Sequence, residues 1–171
     1  MALPPLYDPE AVKPMWKELE LVGINPLNTP EQVDEMFEKP GTLLLVLNSV
    51  CGCAAGGARP GVSLALQHSK IPDHLTTVFA GVDRDAVEQA RSKMPQIPPS
   101  SPCIALFKDG NLLACLERRH IEQMNAQMIA QTLSEVFDQF CERQGPSVSP
   151  EEFAKIVQAN QCGSTVPRFG Q

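Results

Sequence analysis

"TLLLVLNSVCGCAAGGARPG", residues 42–61, decides how the rest of the chain is read. Its first seven residues, Thr42 to Asn48, are almost continuously apolar. A run this short, with Gly41 before it, reads as a strand buried on both faces, as in a parallel or mixed sheet. Two cysteines, Cys51 and Cys53, follow at once with Gly52 between them. The continuation "ARPGVSLALQHSK" reads as a helix despite Pro60. The local order is strand, cysteine pair, helix.

Upstream, "DPEAVKPMWKELELVG" carries Val12, Met15, Trp16 and Leu19 at helical spacing and stops at Gly23. Pro14 is expected in the first turn, which starts the regular helix near it. "NTPEQVDEMFEK" has a capping signature: Thr29 as N-cap, Pro30 at the first helical position, Gln32 at the third, and Val33, Met36 and Phe37 facing inward. Downstream, residues 76–83, "TTVFAGVD", read as a second strand, and Asp83 is expected to cap the helix "RDAVEQARSKM". A proline-rich loop, "PQIPPSSPC", leads into "CIALFK-DG-NLLACLE", a hairpin whose Asp109-Gly110 suits a turn with positive φ. Residues 121–140 read as one long amphipathic helix. Ser149 and Glu152 form a capping box for a helix over residues 150–160.

The predicted class is α/β, a sandwich with a central mixed β-sheet flanked by helices and extra N- and C-terminal helices. The length of 171 residues suggests one domain, 1–171, with 1–40 as an N-terminal helical extension and 146–171 as a C-terminal helix and tail. Hydrophobic residues make up 43% and charged residues 20%, a globular composition. A net charge of −6, with no basic run, argues against a nucleic-acid partner. The longest strongly apolar run, Leu43 to Leu47, is far too short for a bilayer, so no membrane partner is expected. The N-terminus "MALPPLYDPE" lacks a signal-peptide pattern, which predicts a cytoplasmic protein. The cysteines at 51, 53, 103, 115, 141 and 162 then read mostly as reduced thiols, with Cys115 and Cys141 in the core.

A phosphate loop needs a lysine and a hydroxyl after its glycines, and Ala58-Arg59 stand there instead. A structural metal site wants a second spaced ligand pair, and none exists; no metal is expected. Two small residues merely opening a helix are the bland alternative. Redox chemistry fits the position best. A cysteine where a strand ends and a helix begins faces unpaired N–H groups and the positive end of the helix dipole, which stabilise its thiolate. Cys51 is therefore assigned as the nucleophile, the more exposed of the two, and Cys53 as the resolving cysteine. Gly52 gives the spacer freedom to close a tight and readily reduced disulfide. In thioredoxin-type sheets a proline before the hairpin strand is cis and lies against the active cysteines. Pro102 stands at that place, with Ser101 as the residue that pairs with an extended substrate.

Taken together, "NSVCGCAAGGARPG", "YDPEAVKPMWKEL", "TPEQVDEMF" and "SPCIALFKDG" resemble the bacilliredoxins over nearly the whole chain. The resemblance implies a thioredoxin-like fold and a CGC centre that removes bacillithiol from protein mixed disulfides. It also implies weak disulfide reductase or isomerase activity. Carried over by position, Cys51 attacks and Cys53 resolves, and Cys162 is the candidate for an extra resolving cysteine. No bound cofactor is expected. The co-substrate is bacillithiol or another low-molecular-weight thiol, the partners are thiolated client proteins, and the oligomeric state is open.

Asn48 and Ser49 lie beside the pair and can supply hydrogen bonds to substrate. Arg59 either pairs with carboxylates of the small thiol or with solvent or a nearby acid. Cys103 reads as structural. Two alternatives stay open: a protein disulfide isomerase or thioredoxin-like reductase, and a metal-binding or redox-sensing thiol module without turnover.

Overall fold

The computed structural model describes residues 2–156. Cys162 and the last part of the expected C-terminal helix lie outside the described residues. Helix α1 (Pro9–Glu20) begins where the Asp8 side chain accepts from Glu10 N–H. Pro14 therefore sits inside the helix rather than in its first turn. The carbonyl of Glu10 loses its donor there, but Glu10 and Pro14 are on the exposed face, open to solvent, while Val12, Met15 and Leu19 on the opposite face are buried. Helix α2 (Pro30–Glu38) has the capping box expected at Thr29 and Gln32.

Strand β1 (Asn25–Pro26) adds an edge to the sheet from within the stretch read as a helical extension, pairing parallel with Thr76 and Thr77. Strand β2 (Thr42–Asn48) is buried at every position. A π-helical turn (Ala54–Ala58) then runs into helix α3 (Arg59–Ala65). Strand β3 (Lys70–Ile71) is followed by β4 (His74–Phe79) and helix α4 (Arg84–Ser92). Strand β4 starts earlier than expected and ends at Phe79, because the chain turns through Gly81 at φ 86°. Asp83 stands at the N-cap of α4 without a capping side-chain bond; its carboxylate accepts instead from Asn28 Nδ2 at 3.0 Å.

The hairpin β5 (Cys103–Lys108) and β6 (Asn111–Leu116) closes through Asp109 and Gly110, both at positive φ, as the turn chemistry predicts. The long helix expected over 121–140 is two: α5 (Arg118–Ile121) and α6 (Ala126–Phe140). Asn125 breaks it by accepting from Met128 N–H as an N-cap, which its side chain does better than it serves a helix interior. Strand β7 (Arg143–Gln144) pairs with β3, and α7 (Pro150–Ala154) is capped by Ser149.

The main sheet runs β1-β4-β2-β5-β6, with β1, β4 and β2 parallel and β5 and β6 antiparallel to their neighbours. Alternation along β2 explains its complete burial: Leu44 and Val46 face α3 and α6, while Leu43, Leu45 and Leu47 face α2 and α4. This is an α/β sandwich around a mixed sheet. Leu47 lies opposite both Val78 and Cys103. Since β5 runs against β2, the end of one strand and the start of the other meet, and the CGC turn and Pro102 share one end of the sheet.

Candidate active site

The two cysteines meet where β2 hands over to the first helical turn. Cys51 Sγ and Cys53 Sγ are 2.8 Å apart, a thiol–thiol hydrogen bond. Ala54 N–H and Ala55 N–H both donate to the Cys51 carbonyl, which places Cys51 at the helix entry expected for it. Gly52 is exposed and its φ is not positive in this dithiol form. Both cysteines are half-buried, so exposure does not separate their roles.

Their surroundings do. Burial pushes the Cys51 thiol up, but hydrogen bonds from Cys53, Ser49 and the Ala54 N–H, with the Arg118 charge, overcome that and hold it below the ordinary thiol value. Cys53 is pushed up to about 11 by burial, by its bond to Cys51 and by the Cys51 charge. Of the two, Cys51 is the one that gives up its proton first. Cys53 also packs against the core cluster of α3 and α6.

The loop carrying Cys51 hangs from a buried polar cluster. Asn48 donates through Nδ2 to Met15 O at 3.2 Å, and its Oδ1 accepts from Ser49 N–H at 2.8 Å and from Arg59 Nη1 at 3.1 Å. Arg59 Nη1 also donates to Ser49 O at 2.8 Å, and its Nε pairs with Glu18 at 3.1 Å. Glu18, Asn48 and Arg59 are almost wholly shielded from solvent. Asn48 and Arg59 therefore do not meet a substrate, which corrects the substrate-positioning role expected for them. A guanidinium taken out of water needs a carboxylate, and Glu18, brought in by α1, supplies it. Together they position the backbone of residues 48–51.

Ser49 and Ser101 both line the groove onto which Cys51 opens, a space of about 740 Å³. Ser49 Oγ accepts from Cys51 N–H at 3.2 Å. The Ser101–Pro102 bond is cis, as expected. The groove also takes in Leu3, Leu6 and Tyr7 from the N-terminal segment and Arg84, Arg91 and Arg118 from helices, none of which the sequence reading had singled out. A signal was present for two of them: Arg84 and Arg91 are seven apart, on one face of a helix. Cys103 is buried on the α2 and α4 face with its Sγ 3.3 Å from Cys115 Sγ. Cys141 is buried and Cys115 half-buried. Among the described residues no three of His, Cys, Asp and Glu gather as a metal cluster would. Among the same residues no helix is long and apolar enough to cross a membrane.

A family model described as disulphide isomerase matches residues 7–141. A bacilliredoxin of Cytophaga hutchinsonii is 55% identical over 134 residues, which cover 78% of this chain and 99% of that protein. A bacilliredoxin of Geobacillus kaustophilus is 47% identical over 138 residues, 81% of this chain and 94% of that protein. A solved structure described as having a thioredoxin fold overlaps 66% of this chain and 94% of its own at 17% identity and a TM-score of 0.48.

Proposed function

We propose that this chain, which belongs to the bacilliredoxin family of thiol–disulfide oxidoreductases, removes bacillithiol or a similar low-molecular-weight thiol from protein mixed disulfides. The observation that carries the reading is the asymmetric dithiol: Cys51, with its pKa lowered, opens onto a groove, and Cys53 stands 2.8 Å behind it with its pKa raised.

The Cys51 thiolate attacks the sulfur of the small thiol in the mixed disulfide. A bond forms between Cys51 and that sulfur, the client–cap bond breaks, and the client cysteine leaves as thiolate and takes a proton. Cys53, losing its proton, then attacks Cys51 Sγ. The small thiol leaves, and a Cys51–Cys53 disulfide remains for a thiol reductant to open. A second molecule of small thiol attacking the cap sulfur instead releases the oxidised small-thiol dimer and regenerates Cys51. Ser49 and the Ala54 N–H hold the attacking thiolate, and Arg118 adds positive charge near it.

The test is intact-mass analysis of wild type and Cys53→Ala mixed with a bacillithiol-capped client. The expected result is a client that loses the cap and a Cys53→Ala protein that gains it on Cys51. A client that keeps its cap while wild type readily loses two protons on mild oxidation sinks the reading. A second reading, disulfide isomerase, draws on Leu3 and Leu6, which stand exposed at the groove and offer an apolar ledge to a polypeptide. It requires faster turnover on scrambled disulfides than on capped clients.

A further inference from the structure

We propose that Arg84 and Arg91, together with Arg118, form a cationic seat beside Cys51 that takes the carboxylates of an anionic low-molecular-weight thiol. This rests on the decapping chemistry proposed above and names what the cap must carry. Arg84, Val87, Glu88 and Arg91 follow the i, i+3, i+4, i+7 spacing of one helix face, and all four line the groove that holds Cys51. Arg84 donates through Nη1 to Pro4 O at 3.1 Å and, among the described residues, enters no ion pair. Arg91 Nη1 reaches Glu88 at 3.3 Å, while its Nε is buried without a hydrogen-bond partner among those residues. Arg118 pairs through Nε with Glu122 at 2.7 Å and touches Ser101 O at 3.4 Å through Nη1.

The groove's lining carries three guanidinium groups and one carboxylate, Glu88, a local positive excess on a chain of net charge −6. A lysine presents a point charge, whereas a guanidinium presents a planar fork that a carboxylate fits with two parallel bonds. Arg59, the arginine nearest in sequence to the cysteines, is sealed away, so recognition of acidic groups falls to these three. Arg118 also lowers the Cys51 pKa, so its removal would change nucleophilicity and binding at once. Arg84 and Arg91 are therefore the residues to vary.

The first measurement compares Cys51 alkylation by iodoacetate, which is anionic, and iodoacetamide, which is neutral. The ratio of the two rates is normalised to the same ratio on a free thiol. Wild type should favour the anion several-fold, and Arg84→Ala/Arg91→Ala should lose that preference, with the iodoacetamide rate unchanged. Arg84→Gln alone serves if the double variant is poorly folded, and should fall in between. The second compares clients capped by bacillithiol and by 2-mercaptoethanol. The double variant should slow the first about tenfold, the equivalent of 1.4 kcal/mol, and leave the second alone. An anion preference untouched by the substitutions overturns the seat, as does equal slowing of both clients. If wild type decaps neither client yet shows the anion preference, the decapping function fails and the seat stands.

Discussion

Cys51 and Cys53 differ by environment and not by chemistry. Cys51 is held below the ordinary thiol value, and Cys53 is pushed up to about 11. Initial rates of iodoacetamide labelling, mapped by peptide, should therefore rise with pH through a midpoint below that of a free cysteine for Cys51, while Cys53 stays unlabelled until well above it. Cys53→Ala removes a hydrogen bond to the thiolate and should move the Cys51 midpoint upward. Equal labelling of both cysteines across the range would contradict the assignment. Glu18 and Arg59 belong to the same scale. Both are fully buried, and Glu18→Ala leaves a guanidinium in the core without its carboxylate. The expected loss is about 3–5 kcal/mol in urea unfolding. Glu18→Gln, which keeps an acceptor, should cost less. A loss below about 1 kcal/mol for Glu18→Ala would place the pair outside the stabilising core. Neither residue is legible as a partner in the sequence, because 41 positions separate them.

At the scale of elements, signals carried by adjacent residues predict structure, and signals that run through a cap do not. The Thr29 capping box, the Asp109-Gly110 turn and the buried β2 all follow from adjacent residues, so short-range chemistry suffices. The spacing predicts one helix over 121–140 because its apolar positions run through Asn125, and periodicity alone does not register a cap. Residues Ile121 and Met124 still pack on the same core as α6, which is why the pattern seemed continuous. Helices α3 and α6 meet at Gly61, where an added Cβ would lie 2.6 Å from Ile129 Cγ2 and 2.7 Å from its Cβ. Those atoms belong to the branch point of a stiff side chain and cannot swing aside. Gly61→Ala should therefore destabilise by about 1–3 kcal/mol despite the better helix propensity of alanine. Ile129→Ala combined with it should recover part of the loss, measured as non-additivity in a double-mutant cycle. A stabilised Gly61→Ala would mean that the helices can separate without cost.

Across the whole molecule, stability should be graded by place in the sheet. Strands β2, β4 and β5 lie between partners, whereas β1 is a two-residue edge and β6 an edge whose side chains from Leu112 to Leu116 are only half-buried. Hydrogen exchange should protect β2 and β5 to the limit of global unfolding, with the outer amides of β6 opening sooner. Equal protection of β6 and β2 would count against that gradient. By itself the sequence determined the α/β class, the cysteine centre at the exit of a strand and the hairpin behind Pro102. Each of these is written in neighbouring residues, as apolar run length, turn chemistry or spacing. Only the tertiary structure decided which arginine is buried and which three face the groove. It also decided that Asn48 anchors a loop and that residues 25–26 join the sheet. Those outcomes depend on which distant segment supplies a carboxylate, a carbonyl or a strand edge. Burial makes that choice, because a charge or a backbone group removed from water must find its partner wherever the fold has brought one.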